Sequence, residues 1–117
     1  MKILVVDDNL DIQKMLSRKL LKQGWEVFLC ADGKEAIEKA WEIQPDLILM
    51  DMHMPVMDGH EATRTLRAQG YKGKIAALTA SVMHKDTNEA LQNGCDYFIP
   101  KPLNREFVQD IKKILDA

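Results

Sequence analysis

Short apolar runs alternate with amphipathic segments along the whole chain, and no other feature of the sequence restricts the fold as much. Runs at residues 3–6, 25–29, 47–50, 74–78 and 97–99 begin at intervals of roughly 21 to 28 residues, a spacing that suits right-handed βαβ crossovers with short loops. The first and third are continuous rather than alternating, as expected of strands buried on both faces. A helix over about 9–23 carries Ile12, Met15, Leu16 and Leu20 on one apolar face, with Gly24 as its stop signal. Asp32 and Glu35 have capping-box spacing, and their helix turns Ala36, Ile37, Ala40 and Trp41 inward and ends before Pro45. Further helices are predicted over about 60–68, with Ala62 and Leu66 inward, and over 83–92, ending at Gly94. A last one, from about 104, buries Phe107, Ile111, Ile114 and Leu115. Five strand–helix units predict an α/β domain with a parallel sheet covered on both faces.

Composition agrees with this. At 117 residues, 46% apolar and 29% charged, the chain is expected to form a single domain over 1–117 with a real core. It contains no low-complexity stretch and no interdomain linker. Cys30 and Cys95 lack CxxC spacing and read as free or buried thiols of a reducing, cytoplasmic compartment. The apolar start is cut short by Asp7 and Asp8, which argues against a signal peptide. No apolar run is long enough to span a bilayer. A net charge of −2 and a pI near 5.9 argue against direct contact with nucleic acid. Lys14, Arg18, Lys19 and Lys22 cluster, but on a helix with an apolar face, where they read as its solvated side.

In an open parallel sheet the ligand site lies beyond the carboxyl ends of the strands. There the first strand ends in Asp7-Asp8, the third in Asp51 and the fourth in Thr79, and Lys101 stands just past the fifth. A dinucleotide would need a glycine-rich turn after the first strand, where this chain has Asp-Asp-Asn. The stretch Gly70-Tyr71-Lys72-Gly73-Lys74 lacks the spacing and the trailing Ser or Thr of a phosphate loop. Carboxylates brought together repel, and hard oxygen donors select Mg²⁺ or Mn²⁺. A divalent ion would also admit a phosphoryl group, for which a carboxylate can be the nucleophile. Taken singly, these residues have plainer readings: Asp7-Asp8 as a helix cap, Thr79 as a common strand end, Lys101 as a solvated turn residue.

In their joint order, Val6-Asp7-Asp8-Asn9, Asp51 followed by Met54-Pro55-Val56-Met57-Asp58-Gly59, Leu78-Thr79-Ala80 and Lys101-Pro102 resemble the receiver domain of two-component response regulators. The resemblance runs from Lys2 to the last helix and implies a flavodoxin-like (βα)5 three-layer sandwich of strand order 2-1-3-4-5. It implies Asp51 as phosphoacceptor, with Mg²⁺ held by Asp8 and Asp51, by Asp7 through water, and by the backbone carbonyl of His53. It further implies Thr79 as switch hydroxyl, Lys101 as phosphate-binding ammonium, Phe98 in the switch aromatic position and a cis Lys101–Pro102 bond. His53 and Ser81 take the positions that tune dephosphorylation. Many relatives carry tyrosine where this chain has Phe98, which offers no hydroxyl.

The stretch from Met54 to Arg64 looks most like receivers of hybrid histidine kinases. The implied partners are a histidine kinase or histidine phosphotransfer domain, and an output protein or domain on another chain. The implied readout face is the fourth helix, fifth strand and fifth helix, with Met83, Lys85, Tyr97 and Lys112 as candidates. Neither nucleic acid nor membrane is an expected direct partner. Two other classes compete. An aspartyl-nucleophile phosphatase would expect D-x-D-G-T, where the chain reads Asp51-Met52-His53-Met54-Pro55. A degenerate receiver serving only as a scaffold would not need every active-site position filled. A copper site at Met50, Met52, His53, Met54 and Met57 is disfavoured, because methionines more often fill cores. His60 and His84 read as surface residues, and Trp25 and Trp41 as packing.

Overall fold

Every predicted strand forms, and none exceeds five residues. In chain order the elements are β1 (Lys2–Val6), α1 (Leu10–Leu21), β2 (Glu26–Cys30), α2 (Gly33–Ile43), β3 (Leu47–Asp51), α3 (Gly59–Ala68), β4 (Ile75–Thr79), α4 (His84–Asn93), β5 (Tyr97–Pro100) and α5 (Phe107–Asp116). The computed structural model describes residues 1–79, 84–101 and 106–117, and for 84–87 the backbone alone. The expected starts of α4 near 83 and of α5 near 104 lie outside the described residues. β2 and β4 each begin one residue later than predicted.

The strands pair in parallel in the order β2-β1-β3-β4-β5, so the fold is the flavodoxin-like sandwich. Period-two alternation divides the core between the two sheet faces. Leu4, Val6, Ile48, Met50, Ile75 and Ala77 pack with Ala36 and Ala40 of α2, Ala62 and Leu66 of α3 and Ala90 of α4. Ile3, Val5, Leu47, Leu49, Ala76 and Leu78 pack with Leu16 and Leu20 of α1 and Phe107, Ile111 and Ile114 of α5. Leu115 is only half-buried beside them. Alanines are concentrated on the first face, where three helices must fit across five strands.

Helix starts follow the local chemistry. Asn9 caps α1 by accepting from Asp11 N (2.9 Å) and Ile12 N (3.1 Å). Asp32 accepts from Glu35 N at 2.9 Å, while the Glu35 carboxylate reaches back to Ala31 N at 3.3 Å, a capping box displaced by one residue. Asp58 caps α3 through Glu61 N at 2.9 Å. After α1 the chain turns at Gly24 with φ +83°, which a side chain rarely adopts.

Two inward assignments are corrected. Met15 is exposed, and the buried stripe of α1 is Gln13, Leu16 and Leu20. Trp41 is 41% exposed rather than inward; it stacks edge-on against Tyr71 with ring centroids 5.4 Å apart and donates its indole N–H to Gln69. On α2 the small Ala36 and Ala40 take the inward positions, and the indole is too large to join them.

Candidate functional site

The sheet order makes β1 and β3 neighbours, and β1 is where the chain reverses its direction of crossover, the switch point at which such sheets bind ligands. Asp7 directly follows β1 and is fully buried; Asp51 ends β3 and is 5% exposed; Asp8 is exposed. One carboxylate oxygen from each of Asp7, Asp8 and Asp51 lies within 4.8 Å of the others. Octahedral Mg²⁺ with oxygens at about 2.1 Å places cis ligands about 3 Å apart and trans ligands about 4 Å apart. The donor set is all hard oxygen and already gathered at one sheet edge, so a local closing of the acidic cluster by roughly 1–2 Å would bring it onto such an ion.

From the other side comes Lys101, directly after β5. Its peptide N–H donates to Thr79 O at 2.8 Å, extending the β4–β5 pairing by one residue and fixing where the side chain starts. Its ammonium lies 2.8 Å from Asp7 Oδ2 and 3.4 Å from Asp51 Oδ1. The cluster thus sets three carboxylates against one ammonium, leaving two negative charges for a divalent cation to balance. Burial pushes the Asp51 carboxyl above its ordinary value; the His53 N–H holds it back, the Asp7 charge adds to the rise, and Lys101 opposes it.

Thr79 is buried at the end of β4. His53 is exposed, and its backbone N–H donates to Asp51 Oδ1 at 3.2 Å, so its peptide stands beside the carboxylate. Phe98 is half-buried against the α2–α3 face, and Tyr97 against the opposite one. Lys112 is exposed. Ser81, Met83, Pro102 with its expected cis bond, and the side chains of His84 and Lys85 lie outside the described residues.

Met50 and Met52 are core residues, with Met54 and Met57 packed against the same cluster. Their thioethers fill space, as expected. His60 corrects a further expectation. It is buried at 8% exposure, with its ring edge-on to His53, Nδ1 3.4 Å from the Asn93 amide and Nε2 4.0 Å from Glu89. α3 turns this side of its first turn towards α4, a contact between helices that the spacing of histidines could not reveal.

Two structural supports of the site escaped the sequence reading. Gly59 opens α3 so close to β3 that a Cβ there would overlap the Asp51 carbonyl oxygen and approach Met52 Cε at 2.6 Å. Gln13 is buried on α1, and its Nε2 donates to Asp7 O (2.6 Å) and Cys30 O (3.1 Å). A signal for Gln13 was present: residues 13, 16 and 20 share the i, i+3, i+7 spacing of one stripe.

The description of the response regulator receiver domain family matches residues 3–113. The chain belongs to that family, which defines it as a phosphoacceptor signalling module of two-component systems. It is 39% identical over 115 residues to the alkaline phosphatase synthesis transcriptional regulatory protein PhoP of Bacillus subtilis, covering 97% of this chain and 48% of that protein. It is 34% identical to hybrid signal transduction histidine kinase I of Dictyostelium discoideum, covering 94% of this chain and 7% of that one. The chain therefore spans at most about half the length of these relatives. Among solved structures, the receiver domain of sensor histidine kinase PA1611 from Pseudomonas aeruginosa is 37% identical, with a TM-score of 0.89 and 99% and 98% of the two chains covered. That structure has a magnesium ion coordinated in its active-site cleft. No described helix is long and apolar enough to cross a membrane.

Proposed function

We propose that residues 1–117 act as one receiver unit in which Asp51 accepts a phosphoryl group from a histidine phosphate. The observation that carries this reading is the Lys101 ammonium lying between Asp7 and Asp51 at the carboxyl edge of the sheet. The His53 N–H and the Lys101 ammonium both approach Asp51 Oδ1. A carboxylate oxygen of Asp51 attacks phosphorus; the P–N bond breaks as the O–P bond forms, and the histidine nitrogen recovers a proton from solvent. Asp8, Asp51 and the His53 carbonyl would hold Mg²⁺ directly, and Asp7 through water. The ion supplies the positive charge that lets a phosphoryl anion approach a carboxylate cluster. Beyond its own phosphorylation and dephosphorylation the domain catalyses nothing in this reading, and His53 and Ser81 tune the loss of phosphate.

The product adds nearly two negative charges and strong acceptors at Asp51. Thr79 and Lys101 bind them, and Phe98 turns into the space that Thr79 leaves. Inverting a population from 1:99 to 99:1 takes about 5.5 kcal/mol. Charge-assisted hydrogen bonds contribute roughly 1.5–3 kcal/mol each, so two of them account for most of the shift. The readout is the α4-β5-α5 face, with Met83, Lys85, Tyr97 and Lys112 as candidate contacts. A groove of about 500 Å³ lined by Asp96, Tyr97, Phe98, Asp110, Lys113 and Ile114 supports that choice.

The partners in this reading are a histidine kinase or phosphotransfer domain and a separate output protein or domain, in the cytoplasm, where the two buried free thiols stay reduced. The test is intact mass after incubation with Mg²⁺ and acetyl phosphate, with Asp51→Asn in parallel. One alkali-labile phosphate adduct that requires Mg²⁺ and is missing from the variant is expected. An adduct of equal yield on Asp51→Asn would refute the assignment.

A further inference from the structure

Gln13 is the only buried carboxamide among the described residues, and its placement follows from what it bonds. Both of its hydrogen bonds run from Nε2, to Asp7 O at 2.6 Å and to Cys30 O at 3.1 Å. The orientation of the amide is forced, because rotating it by half a turn would set its oxygen against two carbonyl oxygens. Cys30 O also accepts the Asp7 N–H at 3.1 Å. One side chain of α1 thus ties the last residue of β2 to the peptide that joins Asp7 to Asp8.

Asp7 is held at four points. Its N–H bonds to Cys30 O, its carbonyl to Gln13, its Oδ1 to Asn9 N at 2.9 Å and its Oδ2 to Lys101 at 2.8 Å. The carbonyl bond is the one that sets the plane of the Asp7–Asp8 peptide. Rotation of that plane moves the Cα–Cβ bonds of the two acids relative to each other. Without a buried donor, the Asp7 carbonyl would turn towards water, and the peptide would turn with it.

We infer that Gln13 is a positioning residue for the acidic pocket: by holding the Asp7–Asp8 peptide from behind, it fixes how the two carboxylates are placed relative to each other for a divalent cation. This inference rests on the metal reading of the pocket given above and deepens it. Gln13 touches neither the ion nor the phosphoryl group, and acts as an outer partner that orients the ligands.

The test measures Mn²⁺ affinity by calorimetry for the wild-type protein, for Gln13→Met, which keeps length and removes both donors, and for Leu20→Ala. The last loses core packing at the far end of α1, so it matches the destabilisation without touching the pocket. Gln13→Met is expected to bind Mn²⁺ roughly tenfold more weakly or worse, and Leu20→Ala to bind as the wild type does. In the metal-free state, the Asp7 carbonyl ¹³C resonance should shift in Gln13→Met and stay in place in Leu20→Ala. Affinity of Gln13→Met within twofold of wild type overturns the inference while leaving the metal reading intact. Absence of Mn²⁺ binding by the wild type itself overturns the metal reading and the inference together. Should Gln13→Met not fold, the wild type decides: its Gln13 side-chain amide protons must be protected from exchange and must shift on Mg²⁺ addition. Unprotected, unresponsive protons refute the inference.

Discussion

Replacing Lys101 with methionine removes one charge and little volume, which makes it a direct probe of the acidic cluster. The Lys101 side chain is 18% exposed, and its partners Asp7 and Asp51 have side chains 1% and 8% exposed. Deleting one member of such a buried pair costs about 3–5 kcal/mol, because the buried charge left behind loses its counter-ion and has little access to water. For a domain of this size 1 kcal/mol moves the melting temperature by roughly 4 °C, so in EDTA at pH 7 the variant should melt about 12–20 °C below wild type. The sign of the pH dependence follows from Asp51. Burial raises its folded-state carboxyl above the unfolded value, and losing Lys101 removes an opposing influence. A raised carboxyl costs stability above its folded value, and that cost disappears once the pH falls below the unfolded value near about 4. The deficit should therefore be largest at neutral pH and should shrink on acidification towards pH 4. Mg²⁺ should shrink it too, and should bind the variant more tightly than wild type, because the ammonium no longer repels it. Lys101→Arg, which keeps the charge, should recover most of the loss. Differential scanning calorimetry across pH, with and without Mg²⁺, reads all of these. A melting shift below 2 °C in EDTA at pH 7, or a deficit that grows on acidification, would refute the argument.

Two further predictions concern the frame around the site. Gly59→Ala drives a methyl into the Asp51 carbonyl; overpacking of this kind costs about 1–3 kcal/mol, and because the obstacle is backbone the upper end is expected in a urea titration, with Mn²⁺ binding weakened as well. A loss under about 0.5 kcal/mol would mean that α3 shifts freely. Burial pushes the Cys30 thiol up to about 12 and the Cys95 thiol up to about 11. Both should therefore resist Ellman's reagent at pH 8 until the protein unfolds. Because the folded values are raised, the unfolded thiols ionise first, and each cysteine removes about 1.4 kcal/mol of stability per pH unit above about 9. Denaturant melts at pH 9 and 10 should show wild type losing more stability than a variant with alanine at both positions. Parallel losses would contradict the burial argument.

Much of this architecture is written in local patterns. A continuous apolar run of four or five residues can hardly be anything but a buried strand when helical spacing follows it, and the direction of a βαβ crossover leaves one handedness. The acids, the threonine and the lysine were found because they sit where runs end, and in a parallel sheet those ends share one edge. Other features depended on angles and on distant neighbours. A helix advances about 100° per residue, so a stripe drawn through Met15 and one drawn through Gln13 differ by a small rotation that only the packed sheet resolves. Trp41 and His60 were misplaced for the same reason: whether a side chain is buried depends on the element opposite, which its own segment does not encode.

The sequence by itself determined the strand and helix order, the two-faced parallel sheet and the identity of the groups at its carboxyl edge, since each is set by residues adjacent in the chain. Only the tertiary structure decided that Lys101 meets Asp7 across a separation of 94 positions, that a helix start presses on the Asp51 carbonyl, and that a glutamine stands behind the acid pair. Those contacts join elements whose relative placement comes from strand order and helix packing, forces that act on the whole chain at once.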